Sequence, residues 1–156
     1  MRALISAICL PLAFAALPAS ALTATQTVEK EILIQNPDGT ETRLRKPATT
    51  VAPGERVVYT LAFTNDEAEA ATNLVLTMPV PAEVTYIDGS ADKPGAVMTV
   101  STDGGNSFTP RGAATVMEGG APVRATAADI THIRWTVAGP VAPGESDTLA
   151  FKGVLE

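Results

Sequence analysis

An all-β fold, a sandwich of about seven to nine antiparallel strands, is predicted by three observations. Apolar residues recur with a period of two, the spacing of a strand with one face on a core, since successive side chains point to opposite faces. Twelve glycines and twelve prolines cut the chain into short segments. The phrase "VAPGE" occurs twice, at 51–55 and 141–145, each time ahead of an alternating run. Turn signals at intervals of roughly 8–12 residues leave no room for long helices.

The elements follow in chain order. Residues 1–21 read as a secretory signal peptide: Arg2 supplies a positive start, an apolar run extends from Ala3 to Leu17, and Ala19-Ser20-Ala21 is a small-residue cleavage site. The run is shorter than the ~20 residues that span a bilayer. The chain's only cysteine, Cys9, lies in the middle of this run and leaves with it, so the exported protein is expected to be cysteine-free and to rely on its core rather than on disulfides. The remaining 135 residues, 22–156, suffice for one domain. With Arg2 removed, ten Lys and Arg face 17 Asp and Glu, a net charge of −7. That balance argues against nucleic acid or an anionic membrane as partner. No later stretch is long and apolar enough to span a membrane. The expected location is the periplasm or the extracellular space.

The domain opens with a hairpin at about 28–46, turned at Pro37-Asp38-Gly39, where proline presets φ and glycine accepts a positive one. Glu29 and Glu31 on one arm oppose Arg43, Arg45 and Lys46 on the other, the pattern of a solvated strand pair. In "RVVYTLAFTN", Val57, Tyr59, Leu61 and Phe63 share one face. Leu74, Leu76, Met78 and Val80 do so in "TNLVLTMPV". "VTYI" and "AVMTVST" supply two shorter strands. "THIRWTV" turns Ile133, Trp135 and Val137 inward and His132, Arg134 and Thr136 outward, and "TLAFKGVL" turns Leu149, Phe151 and Leu155 inward. The segment 65–72, "NDEAEAAT", reads as a polar loop or a single helical turn.

The two copies of "VAPGE" stand 90 residues apart, whereas the "LAF" tripeptides that follow them stand 88 apart. Nothing else repeats at that offset, so the chain is not an array of repeats; two strands of one sandwich begin after the same kind of turn. Because consecutive strands usually neighbour each other, the final strand is expected beside the Trp135 strand.

The order "VAPGERVVYTLAFTN", "ATNLVLTMPVPAEVTYIDGSA", "STDGGNSFTP", "HIRWTVAGPVAPGESDTLAFKGVL" resembles the immunoglobulin-like domain of unknown function that recurs in bacterial surface proteins. The likeness covers roughly residues 45–156. It implies an extracytoplasmic immunoglobulin-like β-sandwich with structural or adhesive roles, and it brings no catalytic residues. This chain carries a single copy.

Two spots bear on chemistry. Ser101, Asp103, Gly105, Ser107 and Phe108 in "STDGGNSF" match the Asp-box pattern, with Ser for Thr and Phe for Trp. That motif is a hairpin whose Asp binds the turn backbone. The sharper reading is a calcium site on Asp103 and Asn106, with oxygens from Asp66, Glu67 or Glu69; calcium wants six to eight oxygens, and the local spacing offers fewer. His132, the only histidine, sits on the polar face of its strand without a nucleophile or second ligand in sequence. The expectation is therefore no catalytic residue, no cofactor and no enzyme. It is an exported structural or interaction module of the cell envelope whose partner is a protein or cell-surface component. The alternatives are a small secreted module binding carbohydrate or calcium, and a subunit that self-assembles by strand addition.

Overall fold

Ten strands form among the described residues, and all their pairings are antiparallel: β1 (Leu22–Gln35), β2 (Glu41–Pro47), β3 (Arg56–Asn65), β4 (Val75–Pro79), β5 (Val84–Tyr86), β6 (Ala96–Ser101), β7 (Thr115–Glu118), β8 (Ala121–Arg124), β9 (His132–Val137) and β10 (Ser146–Leu155). The computed structural model describes residues 22–156, so the expected signal peptide and Cys9 lie outside the described residues. No helix among the described residues is long and apolar enough to cross a membrane. One sheet runs β2-β1-β3-β10-β5 and a second β4-β9-β6, with β7-β8 as a separate pair.

The inward faces meet in one core. Val57, Leu61 and Phe63 of β3 and Leu149 and Phe151 of β10 pack with Met78 of β4, Val100 of β6 and Ile133 and Trp135 of β9. Trp135 is fully buried, and its indole N–H donates to the Ala91 carbonyl at 2.8 Å. Burying so large a ring is strongly favourable, and the bond removes the cost of hiding its one polar group. The alternation read from β3, β9 and β10 thus survives in the packing.

The repeated phrase has a structural reason. β3 and β10 lie side by side, and their two "APGE" turns are related by a local two-fold. Glu55 N–H donates to Ala52 O and Glu145 N–H to Ala142 O, both at 3.0 Å. Each glutamate carboxylate accepts the N–H of its own alanine at 2.7 Å. Gly54 and Gly144 take φ of 85° and 74°, as the third position of such a turn demands. Each turn then closes on the end of the other strand: Gly54 N–H on Leu155 O and Gly144 N–H on Asn65 O, both at 2.7 Å. The turns follow the two-fold, but the "LAF" tripeptides do not, and Leu61 stands directly opposite Leu149. A shift of two keeps side chains on the same face, so all four large residues stay in the core.

Two expectations need correction. The final strand does not lie beside the Trp135 strand: β10 pairs with β3 and β5 in the opposite sheet. The link from β9 to β10 crosses between the sheets instead of turning a hairpin, because Val141 within it is buried and bridged to Ala71. The strand number also exceeds the expected range. The surplus is the β7–β8 hairpin, for which the Gly119-Gly120 turn is the signal in the sequence.

Candidate interaction surface

The least enclosed part of the molecule is the N-terminal hairpin. β1 pairs with β3 only from Leu22 to Glu31, and with β2 only from Glu29 to Gln35. Ile32–Gln35 and Glu41–Leu44 therefore have each other as sole partners and project past Arg56, where β3 starts. Asp38 fixes the tip: its Oδ1 accepts from Thr40 N at 2.9 Å and from Thr40 Oγ1 at 2.6 Å. Those bonds hold its carboxyl below the usual range. Every residue of β2 is exposed. Leu33, Ile34 and Leu44 are 50%, 42% and 41% exposed. The run Ile32-Leu33-Ile34 puts apolar side chains on both faces of a ribbon with no sheet behind it. Reading the charges alone as a solvated strand pair misses this; three consecutive apolar residues in a strand are the signal.

The ribbon is tied down at its base. The Glu31 carboxylate, only 5% exposed, accepts from Lys152 Nζ at 2.9 Å and from Arg43 at 3.1 Å. The Lys152 bond first, and then Arg43, lowers its pKa against the opposing effect of burial. Since β1 and β10 flank β3, the Glu31–Lys152 pair crosses over β3. Beside it lies Val58, fully buried on the outward face, with Glu29 and Lys152 as its register partners. On the inward face Lys30 reaches Glu55 at 3.4 Å. Among the described residues, Arg45 and Lys46 join none of the ion pairs.

The 101–109 segment forms a closed hairpin, bridged between Val100 and Thr109. Asp103 Oδ1 accepts from Ser101 Oγ at 2.6 Å and from the N–H groups of Ser107 and Asn106 at 2.9 and 3.1 Å; Oδ2 accepts from Ser107 Oγ at 2.6 Å. These bonds, Ser101 foremost, hold the Asp103 carboxyl far below the ordinary range. The Asn106 side-chain amide turns inward and donates to Asp103 O. Phe108 packs under the Arg134 guanidinium, 3.5 Å from its ring centroid. His132, expected to be solvated, is half-buried: the hairpin lies over its ring at Gly105.

The other acidic residues are not brought to Asp103. Ser101 pairs with His132 at one end of β9, whereas the 65–74 loop meets the other end, where Val137 N–H donates to Leu74 O. The five steps of β6 between those ends span ~17 Å. Asp66, Glu67 and Glu69 instead belong to a loop organised by buried Asn65, whose side-chain amide donates to Glu69 O and Val141 O, both at 2.9 Å. That loop lines a cleft of about 550 Å³ together with Leu22, Leu74 and Val75. No group of three or more His, Cys, Asp or Glu suited to a metal ion exists among the described residues.

No protein-family model matches the chain, and no curated protein or solved structure matches it.

Proposed function

We propose that this chain is an exported, non-enzymatic structural or interaction module of the bacterial cell envelope, and that the β1–β2 ribbon is the surface it uses. The observation that carries the reading is the ribbon's projection beyond the sandwich with Leu33, Ile34 and Leu44 exposed on a strand pair whose outer edge is free. Exposed apolar residues beside an unpaired edge are what strand-addition partners recognise. The likeness to surface-protein immunoglobulin-like domains points the same way. A photoreactive amino acid at position 44, in cells exporting the protein, should give a discrete covalent adduct, and one at exposed Thr136 on the other sheet should not. If positions 33, 34 and 44 all fail to yield an adduct, the ribbon is not the working surface.

A further inference from the structure

We propose that the ribbon's partner is a second copy of the same ribbon, β2 pairing antiparallel with β2 about a two-fold axis at Arg43. This deepens the reading of the ribbon as the interaction surface and rests on it. The pairing would join two five-stranded sheets into one.

The argument is charge complementarity within one short strand. Residues opposed in an antiparallel pair lie on the same face. With Arg43 on the axis, Glu41 meets Arg45 of the second copy, and Arg45 meets its Glu41. Arg45 has no ion pair of its own among the described residues, so the contact answers an unpaired cation. The two Arg43 side chains are directly opposed, but each is held by its own Glu31 at 3.1 Å, and of its two diagonal neighbours in the other copy, Glu41 and Arg45, the first is of opposite sign and the second is paired with Glu41. On the other face, Ile32 already opposes Leu44 and Ile34 opposes Thr42. The dimer extends this row to Ile32, Leu44, then Thr42 and Ile34 of the second copy, and the two-fold repeats it. Ile32, Ile34 and Leu44 of both ribbons then form one patch, while Leu33 stays on the opposite face with Arg43.

Neighbouring registers are poorer. Leu44 on the axis sets Arg43 against Arg45 twice and leaves Glu41 without Arg45, whereas Arg43 on the axis opposes one pair of like charges and two pairs of unlike ones. Thr42 on the axis sets Arg45 against the turn at Gly39 and offers Glu41 only Arg43, which Glu31 already holds. A shift by one turns the core-facing side of one copy to the outer side of the other. Charged edges usually prevent self-pairing. This edge reads E-T-R-L-R, and its own reverse opposes glutamate to arginine at both ends.

The test uses the full chain, purified after export, with Cys9→Ser throughout so that introduced cysteines are alone. In sedimentation velocity at low salt, the wild-type protein should pass from monomer to dimer with concentration, and salt should weaken the dimer. Glu41→Arg and Arg45→Glu should each weaken self-association about tenfold or more. An equimolar mixture of the two should recover it. The arginine introduced at position 41 of the first variant then meets the glutamate introduced at position 45 of the second. The unchanged Arg45 of the first likewise meets the unchanged Glu41 of the second. Under mild oxidation Arg43→Cys should form a disulfide dimer. Glu41→Cys and Arg45→Cys should not do so singly, but should when mixed. Unchanged melting temperatures exclude unfolding as the cause, since β2 is exposed throughout. A wild-type protein that stays monomeric at several hundred micromolar, a mixture that does not associate, or disulfides that ignore this pairing overturns the proposal. A monomer in solution together with a ribbon adduct in cells overturns the dimer and leaves the interaction surface standing.

Discussion

The β3–β10 pair and the β1–β2 ribbon are built alike and end differently. Both are antiparallel, both carry apolar residues in register, and both are closed by turns containing Pro and Gly. Yet Phe63, Leu149 and Phe151 are at most 1% exposed, whereas Leu33, Ile34 and Leu44 are at least 41% exposed. Around β3 and β10 the aromatic rings also lock together: Tyr59 stacks on Phe151 at 4.8 Å, and Tyr86 meets it edge-on at 6.3 Å. The difference is not composition but a third partner. β3 and β10 face a second sheet, and the ribbon tip faces none. Strand alternation thus reports pairing, and burial depends on what lies across the face.

The largest effect should come from removing that third partner's anchor. Trp135 is fully buried in β9 and fills the space between the sheets. Trp135→Ala should cost about 3–5 kcal/mol, a large share of the roughly 5–15 kcal/mol that holds a domain of this size. Urea unfolding measures it directly. A loss below about 1 kcal/mol would mean that the two sheets do not depend on each other, and the contrast drawn above would collapse.

A smaller effect tests how closely the core pair is fitted. A Cβ added at Gly153 of β10 would collide with Val84 Cγ1 and come within 3.0 Å of the Thr85 carbonyl oxygen. Gly153→Ala should therefore force β5 outward and cost about 1–3 kcal/mol. Hydrogen exchange should accelerate first at Ile87, whose N–H donates to Lys152 O at 2.9 Å. Uniform acceleration across both sheets would show instead that β5 is not a separable edge.

Glu31 joins the two regions, and its effect should depend on pH. Its folded pKa is lowered, chiefly by Lys152 and then by Arg43, so the carboxylate stabilises the fold above the ordinary value of 4.5. That contribution is lost as the pH falls below 4.5 through the lowered folded value. Glu31→Gln should cost about 1 kcal/mol at neutral pH, less than the ~1.5–3 kcal/mol of a buried charged bond because Lys152 and Arg43 remain partly exposed. The gap between variant and wild type should narrow towards about pH 3. An equal gap at both pH values would assign the loss to packing rather than charge.

Much of this is legible in the residues, and the failures have physical causes. Period-two alternation locates β3, β9 and β10 because each has one buried face. The Pro-Gly turns are visible because only a few residues accept a positive φ. That the two turns interlock is not visible, since strand adjacency across 90 residues leaves no local trace. Adjacency in sequence misplaces the last strand for the same reason. At Asp103 the turn chemistry is legible because every partner lies within four residues. The distance from Asp103 to the acidic loop is a property of topology, and sequence could not supply it. The exposure of Leu33 and Leu44 required knowing that β3 stops opposite Glu31.

The smallest expected effect is the most telling for the comparison. Leu44 is 41% exposed on an edge strand, paired with Ile32 and covered by no other element. Leu44→Ser removes apolar surface that water already reaches, so unfolding free energy should stay within about 0.5 kcal/mol of wild type. The same chemistry at Leu149, 1% exposed in β10, should cost several-fold more, because it leaves a cavity and strands a hydroxyl in the core. Paired urea titrations of the two variants set the ribbon and the core on one scale. A Leu44→Ser loss approaching that of Leu149→Ser would mean that the ribbon tip folds back onto the sandwich in solution. A loss near zero would leave Leu44 with no part in stability, so that an effect of Leu44→Ser on association would report contacts outside the folded chain.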